Sequence, residues 1–274
     1  MYPKVSIIMG TYNRAALLPR AFQSVAEQSF SDWEFIITDD GSTDDTPSVV
    51  HKLQNKDSRI VYLRNEENLG ISKNYNIALR HTRGIYIAMI DDDDAWIGND
   101  KLEKQMHFLE KNQEYVGCGG GVVVVDLGGK ELYRYLKPET DSKIRDYALY
   151  SNPMANSTTL FRRKIGEKVG WYDETQRYSG DRDFWLKMGC EGKLYNFPNY
   201  FSYYTMNGQN TSIIKLRPHL KASFIIMRRY RNKYPHYYTA FLFNFLQYCY
   251  SFLPKLVVKK IHTFFSRIKR VLVK

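Results

Sequence analysis

Short apolar runs alternate with amphipathic stretches through the first hundred residues. Residues 5–9 (VSIIM) are apolar and end at Gly10, then Thr11, Tyr12, Asn13 and Arg14 make a polar turn. An amphipathic helix through Ala21, Phe22 and Val25 follows, so the chain opens as strand, turn and helix. Residues 33–38 (WEFIIT), 59–63 and 85–90 (IYIAMI) repeat the strand pattern. Helices are predicted over 45–55, with Thr43 or Asp44 as N-cap, and over 71–81, with Ile71, Ile77 and Ala78 on the apolar side. Strands spaced at about 30 residues with helices between them predict a doubly wound parallel sheet.

Two of these strands end in acids. Residues 33–38 run into Asp39, Asp40, Gly41 and Ser42, and residues 85–90 run into Asp91, Asp92, Asp93 and Asp94. Most acidic runs are solvated turns. A buried strand that delivers carboxylates at its C-terminal end is different, because open α/β sheets bind ligands there. Four adjacent carboxylates repel one another and resist burial, so a cationic partner is expected. A hard divalent ion, Mg²⁺ or Mn²⁺, fits oxygen ligands shared between carboxylates and a substrate's phosphates.

Beyond residue 100 the pattern changes. Residues 116–126 (VGCGGGVVVVD) read as a strand in close approach to another backbone, with 132–136 as its pairing partner. Further strands are predicted at 156–162, 195–197 and 200–205, and a short helix over 164–173 breaks at Gly170. A helix from 179 to about 190 puts Asp181 in its first turn, where a carboxylate is favoured electrostatically whether or not it has another role.

Composition adds a second division. The 274 residues are 43% hydrophobic, enough for one large α/β domain with an appended element. Cys118, Cys190 and Cys249 are far apart, odd in number and have no C-x-x-C spacing, so neither a zinc ribbon nor a disulfide framework is indicated, and a reducing cytoplasmic setting fits. No basic leader or cleavage site precedes the first strand, so the protein is expected to remain where it is made. The net charge of +11 is unevenly placed: residues 192–274 hold 15 of the 40 Lys and Arg and none of the 29 acids. A polyanionic partner for that end is the consequence.

From about residue 216 the chain reads as helical, basic and aromatic. Val257, Ile261, Phe264, Phe265, Ile268, Val271 and Leu272 recur at helical spacing, with Lys259, Lys260, Arg267, Arg270 and Lys274 mostly opposite them. That division suits an anionic membrane surface, or packing on the sheet domain with a basic outer face. Residues 239–258 are more apolar but interrupted by Asn244, Gln247, Pro254 and Lys255, so they are read as a packing or monotopic segment and not a span. No nucleic-acid-binding pattern is visible.

Taken in order, VSIIMGTYNR, FSDWEFIITDDGSTDDT, IDDDDAW and GDRDFW resemble the inverting family 2 glycosyltransferases of the GT-A fold, the type that builds bacterial surface glycans. The resemblance covers residues 3–210. It implies an α/β fold with a mostly parallel, Rossmann-like central sheet flanked by helices. The domain would span 1–214, with a nucleotide-binding half (1–100) and an acceptor half (101–214), followed by a basic α-helical extension (215–274).

Such enzymes move a sugar from a nucleoside diphosphate donor, here expected to be UDP-linked, to an acceptor hydroxyl. The resemblance places Thr11, Tyr12, Asn13 and Arg14 at the nucleotide, with Tyr12 against the base and Asp40 on a base N–H. It points to Asp91 or Asp92 for the sugar side, Asp93 for Mg²⁺ or Mn²⁺, Lys73 and Asn76 for the donor, and Asp181 for the catalytic base. Three positions depart from the pattern: Gly180 stands where Glu is usual, Tyr75 precedes Asn76 where Arg is frequent, and Asn207 stands where many relatives carry a metal-binding His. The acceptor would be a glycan or lipid-linked glycan, and the protein peripheral at the inner face of the cell membrane. The competing readings are a sugar-1-phosphate nucleotidyltransferase, against which the glycine-poor MGTYNR turn argues, and a non-catalytic sugar-nucleotide-binding protein.

Overall fold

In the computed structural model, residues 2–206 and 214–253 are described. Strands β1 (Val5–Thr11), β2 (Trp33–Asp39), β3 (Ile60–Arg64) and β4 (Tyr86–Met89) pair in parallel in the order β3-β2-β1-β4. Helices α1 (Leu18–Ala26), α2 (Thr46–Gln54) and α3 (Ile71–Arg80) make the crossovers. The doubly wound half expected from the repeating pattern is therefore present. Both faces of β1 and β2 are covered, which explains their nearly unbroken apolar runs. Ile7, Phe35 and Ile37 meet Leu18, Ala21, Phe22 and Val50 on one side. Ile8, Ile36, Ile87 and Met89 meet Tyr75, Ala78 and Leu79 on the other.

The sheet continues through β5 (Ala95–Trp96), β6 (Tyr115–Val125), β7 (Glu131–Tyr135), β8 (Leu160–Arg162) and β9 (Lys193–Thr205) in the order β4-β8-β6-β9-β5, with β7 on β6. Here β8 runs antiparallel to both β4 and β6, while β6 and β9 are parallel. Helices α4 (Lys101–Lys111), α5 (Asp141–Ala148), α6 (Arg163–Lys168) and α7 (Gly180–Glu191) pack around this half. The architecture is the expected α/β class, with a mostly parallel central sheet and a helical extension.

Two local expectations are corrected. Residues 156–162 are not one strand: Asn156–Thr158 form a 3₁₀ turn before β8. Thr158 Oγ1 donates to Ala155 O at 2.7 Å and Thr159 Oγ1 to Asn156 O at 2.7 Å, so side-chain bonding to local backbone displaces the ladder. Conversely, 195–197 and 200–205 belong to the single strand β9, whose register on β6 shifts between Gly119 and Gly121. Pro198 lies in that shift, where its missing N–H costs no ladder bond.

The extension begins with α8 (Leu216–Tyr230) and α9 (Tyr237–Tyr250). Ile226, Met227, Tyr230 and Tyr234 pack on Leu186 of α7 and on Ala148 and Leu149. Arg229 Nη1 of α8 bonds Asp183 Oδ1 of α7 at 2.7 Å and Asp173 Oδ2 at 2.9 Å, tying α8 to the helix that carries Asp181. No described helix is long and apolar enough to cross a membrane. Asn207 and the amphipathic stretch 257–274 lie outside the described residues.

Candidate active site

The C-terminal ends of β1, β2 and β4 open into a cleft of about 440 Å³. Thr11, Tyr12, Arg14, Asp40, Asp91, Asp92 and Asp93 line it, so seven of the sequence-predicted residues meet there. Tyr12 is 44% exposed, free to offer a ring face to a planar group. Asn13 sits in a left-handed backbone conformation (φ 53°) just outside this lining. Its Oδ1 accepts from the backbone N–H groups of Thr43 at 2.7 Å and Asp44 at 3.3 Å, which pins the turn after β1 to the turn after β2.

The paired acids after β2 divide their roles. Asp39 is fully buried and accepts from Ser42 N at 2.8 Å and Tyr62 Oη at 2.6 Å, so it shapes the turn. Gly41 takes a positive φ of 78°, and a Cβ there would come within 2.8 Å of the Glu67 backbone. Asp40 lines the cleft. Its Oδ1 accepts from Leu69 N at 2.9 Å and Asn65 Nδ2 at 3.0 Å, and its Oδ2 from Gly70 N at 2.9 Å. Three donors fix the carboxylate, and lone-pair capacity remains for one more.

The four acids after β4 also separate. Asp91 Oδ1 accepts from Tyr75 Oη at 2.5 Å and Asn156 Nδ2 at 2.9 Å. Asp92 and Asp93 share Arg14, whose Nη1 lies 2.7 Å from Asp92 Oδ1 and 3.0 Å from Asp93 Oδ2. Asp94 is turned inward, bonded by Ser157 Oγ at 2.5 Å and outside the cleft lining. Three carboxylates thus share the cleft floor with a single guanidinium. Burial pushes the Asp93 carboxyl up to about 6, with Arg14 opposing and Asp91 and Asp92 adding to the rise. This surplus of negative charge suits a hard cation completed by substrate oxygens. No three His, Cys, Asp or Glu side chains form a metal-holding group by themselves among the described residues.

Asp181 stands apart from the cleft lining, at the start of α7, yet within electrostatic reach of Asp91. Burial raises its pKa, the Arg182 backbone N–H opposes the rise, and Asp91 adds to it. Asn152 Nδ2 donates to its Oδ2 at 2.6 Å and Arg182 N to its Oδ1 at 2.8 Å. Lys137 Nζ in turn donates to Asn152 O at 2.8 Å, and its own pKa falls to about 8 through burial, with Asp181 opposing. His219 of α8 pairs its Nδ1 with Ser179 Oγ at 3.0 Å. Gly180 is explained by space: a Cβ would approach Ser72 Oγ to 2.9 Å.

Lys73 and Asn76 do not line the cleft. Lys73 is exposed on α3, whereas Asn76 is buried and bonds the backbone N–H and carbonyl of Tyr172, at 3.0 and 2.9 Å, together with Glu174. On the same helix Asn74 and Tyr75 line the cleft instead, and Asn74 also bonds Thr38 and Asn65. Helical periodicity carries the signal for this swap: Ala78 and Leu79 face the sheet, and positions 74 and 75, one turn earlier, share that face. Asn152, Lys137 and His219 have no comparable local signal.

A sheet that ends in a carboxylate-floored cleft, with a further acid on the following half-domain, defines the GT-A class of fold. TarS of S. aureus in complex with UDP-GlcNAc superimposes with a TM-score of 0.67 at 20% identity, over 91% of this chain and 73% of that one. A Pyrobaculum calidifontis mannosyltransferase with GDP-Man and Mn²⁺ gives 0.65 at 18% identity, over 94% and 73%. The family profile described as Glycosyl transferase family 2 matches residues 6–170, and the chain belongs to that family. Among its relatives is the Campylobacter jejuni GalNAc(5)-diNAcBac-PP-undecaprenol beta-1,3-glucosyltransferase, 30% identical over 197 residues, 70% of this chain and 62% of the relative.

Proposed function

We propose that the protein transfers a sugar, with inversion, from a nucleoside diphosphate sugar to an acceptor hydroxyl in bacterial surface-glycan synthesis. The observation that carries this reading is the cleft at the strand ends, where Asp40, Asp91, Asp92 and Asp93 meet beside Tyr12 and Arg14. Tyr12 would lie against the base and Asp40 would accept a base N–H with its remaining lone pair. Asp91 and Asp92 would meet the ribose and sugar side, and Asp93 would hold Mg²⁺ or Mn²⁺ with the diphosphate oxygens. When bound, that ion supplies Lewis-acid stabilisation of the leaving diphosphate. Arg14, joined to both Asp92 and Asp93, holds those carboxylates in place.

Asp181 would take the proton from the acceptor hydroxyl as it attacks the face opposite the leaving group. Its raised pKa makes it a better proton acceptor than an ordinary surface carboxylate, and Asn152 fixes its orientation. Single displacement converts an α-linked donor to a β-linked product. A UDP-linked donor and a lipid-linked acceptor are favoured by the UDP-GlcNAc bound in the structural neighbour and the undecaprenol-linked substrate named for the relative. The acid-free, basic end of the chain then suits a peripheral position at the inner face of the membrane.

Thermal unfolding across a panel of nucleotide sugars with Mn²⁺ tests the donor assignment. One nucleoside diphosphate sugar should raise the unfolding temperature, since a ligand that binds only the folded state stabilises it. Pyrophosphate release from a nucleoside triphosphate and a sugar phosphate would overturn the transferase reading.

A further inference from the structure

The outer face of α9 is apolar where a surface helix should be polar. Tyr238, Phe241, Leu242, Phe245 and Leu246 are all exposed, Tyr238 by 84% and Leu242 by 58%, and Phe252 and Leu253 continue the stripe. At 100° per residue these positions cover an arc of roughly 140°. No Asp, Glu, Lys or Arg occurs from residue 234 to residue 254. The opposite face is where the polar residues are: Asn244 and Gln247 are buried, with Asn244 Nδ2 bonded to Ala240 O at 2.9 Å. The helix is thus turned with its apolar side outward.

The neighbouring helix adds charge of one sign. Arg217, Lys221, Ile225 and Arg228 are exposed along α8 at helical spacing, on the face that also carries Phe224. Phe224 packs against Phe241 and Tyr248 of α9, with ring centroids 5.2 and 6.0 Å apart. Arg217 lies 4.3 Å over the Phe252 ring and donates to Ser251 O. The basic residues therefore border the apolar stripe, and residues 192–274 contain no acid to offset them.

We propose that this face, the apolar stripe of α9 with the basic rim of α8, is an in-plane docking surface for an anionic lipid bilayer. It deepens the peripheral membrane position proposed above by naming the surface. Charge decides the occupant. A two-fold pairing of copies would bring the same basic rim against itself, whereas anionic headgroups neutralise it. Length decides the mode: 14 residues of α9 span about 21 Å, short of the ~30 Å hydrocarbon core. The helix lies in the headgroup boundary with its rings inserted and the α8 cations at the phosphates. Because α8 also places His219 beside Ser179, docking would set the Asp181 side of the molecule next to the lipid surface.

The test uses the full chain and vesicles of phosphatidylcholine with or without phosphatidylglycerol, and needs neither donor nor acceptor. Wild type should co-sediment with the anionic vesicles and much less with the neutral ones. The double substitution Leu242→Glu and Phe245→Glu, both at exposed positions, should weaken that binding about tenfold or more while the unfolding temperature stays put. Lys221→Glu with Arg228→Glu should weaken it and flatten its salt dependence. As an independent reading, a fluorophore on exposed Cys249, in a Cys190→Ser background, should shift to an apolar signal when anionic vesicles are added. Wild-type vesicle binding by the glutamate variant overturns the proposal, as does a dimer of the wild type that the same variant converts to monomer without lipid. Loss of binding on deleting 254–274 alone, with the glutamate variant unaffected, would leave a membrane-bound enzyme but assign the contact to the tail. Asp93→Asn should bind vesicles normally, so a failed donor assignment leaves this result readable.

Discussion

The acids that line the cleft and the acid that stands apart from it are held differently. On the side proposed for the donor, Asp40 stands at the end of β2 and Asp91, Asp92 and Asp93 at the end of β4, the parallel strands that flank β1, and their partners Leu69, Gly70, Arg14 and Tyr75 come from the adjoining turns and α3. On the side proposed for the base, Asp181 is held by Asn152, with Lys137 and His219 drawn from segments some 40 residues away on either side. A strand end fixes a carboxylate through the regular ladder behind it. A base at a helix start depends on loops that meet only once the whole chain has folded, so its partners should tune it more than they support the fold.

The largest effect should come from Asp181→Asn. Turnover is expected to fall about 10²- to 10⁴-fold, the usual worth of a general base, with donor affinity unchanged. Steady-state kinetics beside donor titration would show it, and loss of donor affinity instead would move Asp181 to the donor side.

Arg14→Ala tests the other side. It leaves Asp92 and Asp93 without their cation, so stability should fall by about 1–3 kcal/mol in denaturant melts and donor binding should weaken. An unchanged melt would mean that solvent replaces the guanidinium at no cost.

Asn152→Ala should act through the proton. Turnover requires ionised Asp181, so it should rise with pH through a pKa above the ordinary carboxylate range and be lost as pH falls. Removing the Asn152 donor favours the neutral acid, so the acid limb of the kcat profile should move to higher pH. A uniform drop in kcat with no movement of the limb would make Asn152 merely structural.

The smallest effect contrasts three positions on α3. Lys73→Ala should change donor affinity less than about threefold, since the side chain is exposed outside the cleft. Asn74→Ala should weaken donor binding measurably, and Asn76→Ala should cost about 1–2 kcal/mol of stability by freeing the Tyr172 backbone.

The same contrast explains what was legible in the sequence. The order of β1 to β4 and the acids at their ends follow from apolar runs and strand-end placement, both local properties. Which acid faces the cleft is not local: Asp39 and Asp94 turn inward because Tyr62 and Ser157 receive them, and neither partner is adjacent in sequence. Residues 156–162 read as a strand by composition, but Thr158 and Thr159 bond local backbone and leave only Leu160–Arg162 in the ladder. The resemblance points to Lys73 and Asn76, whereas the rotation of α3 puts Asn74 and Tyr75 at the cleft.

The most direct test is metal-dependent donor stabilisation in Asp93→Asn and Asp181→Asn side by side. The account predicts that Asp181→Asn keeps the full rise in unfolding temperature with Mn²⁺ and the nucleotide sugar, while Asp93→Asn loses it. If both variants keep the rise, or both lose it, the division of labour between the two acids is contradicted.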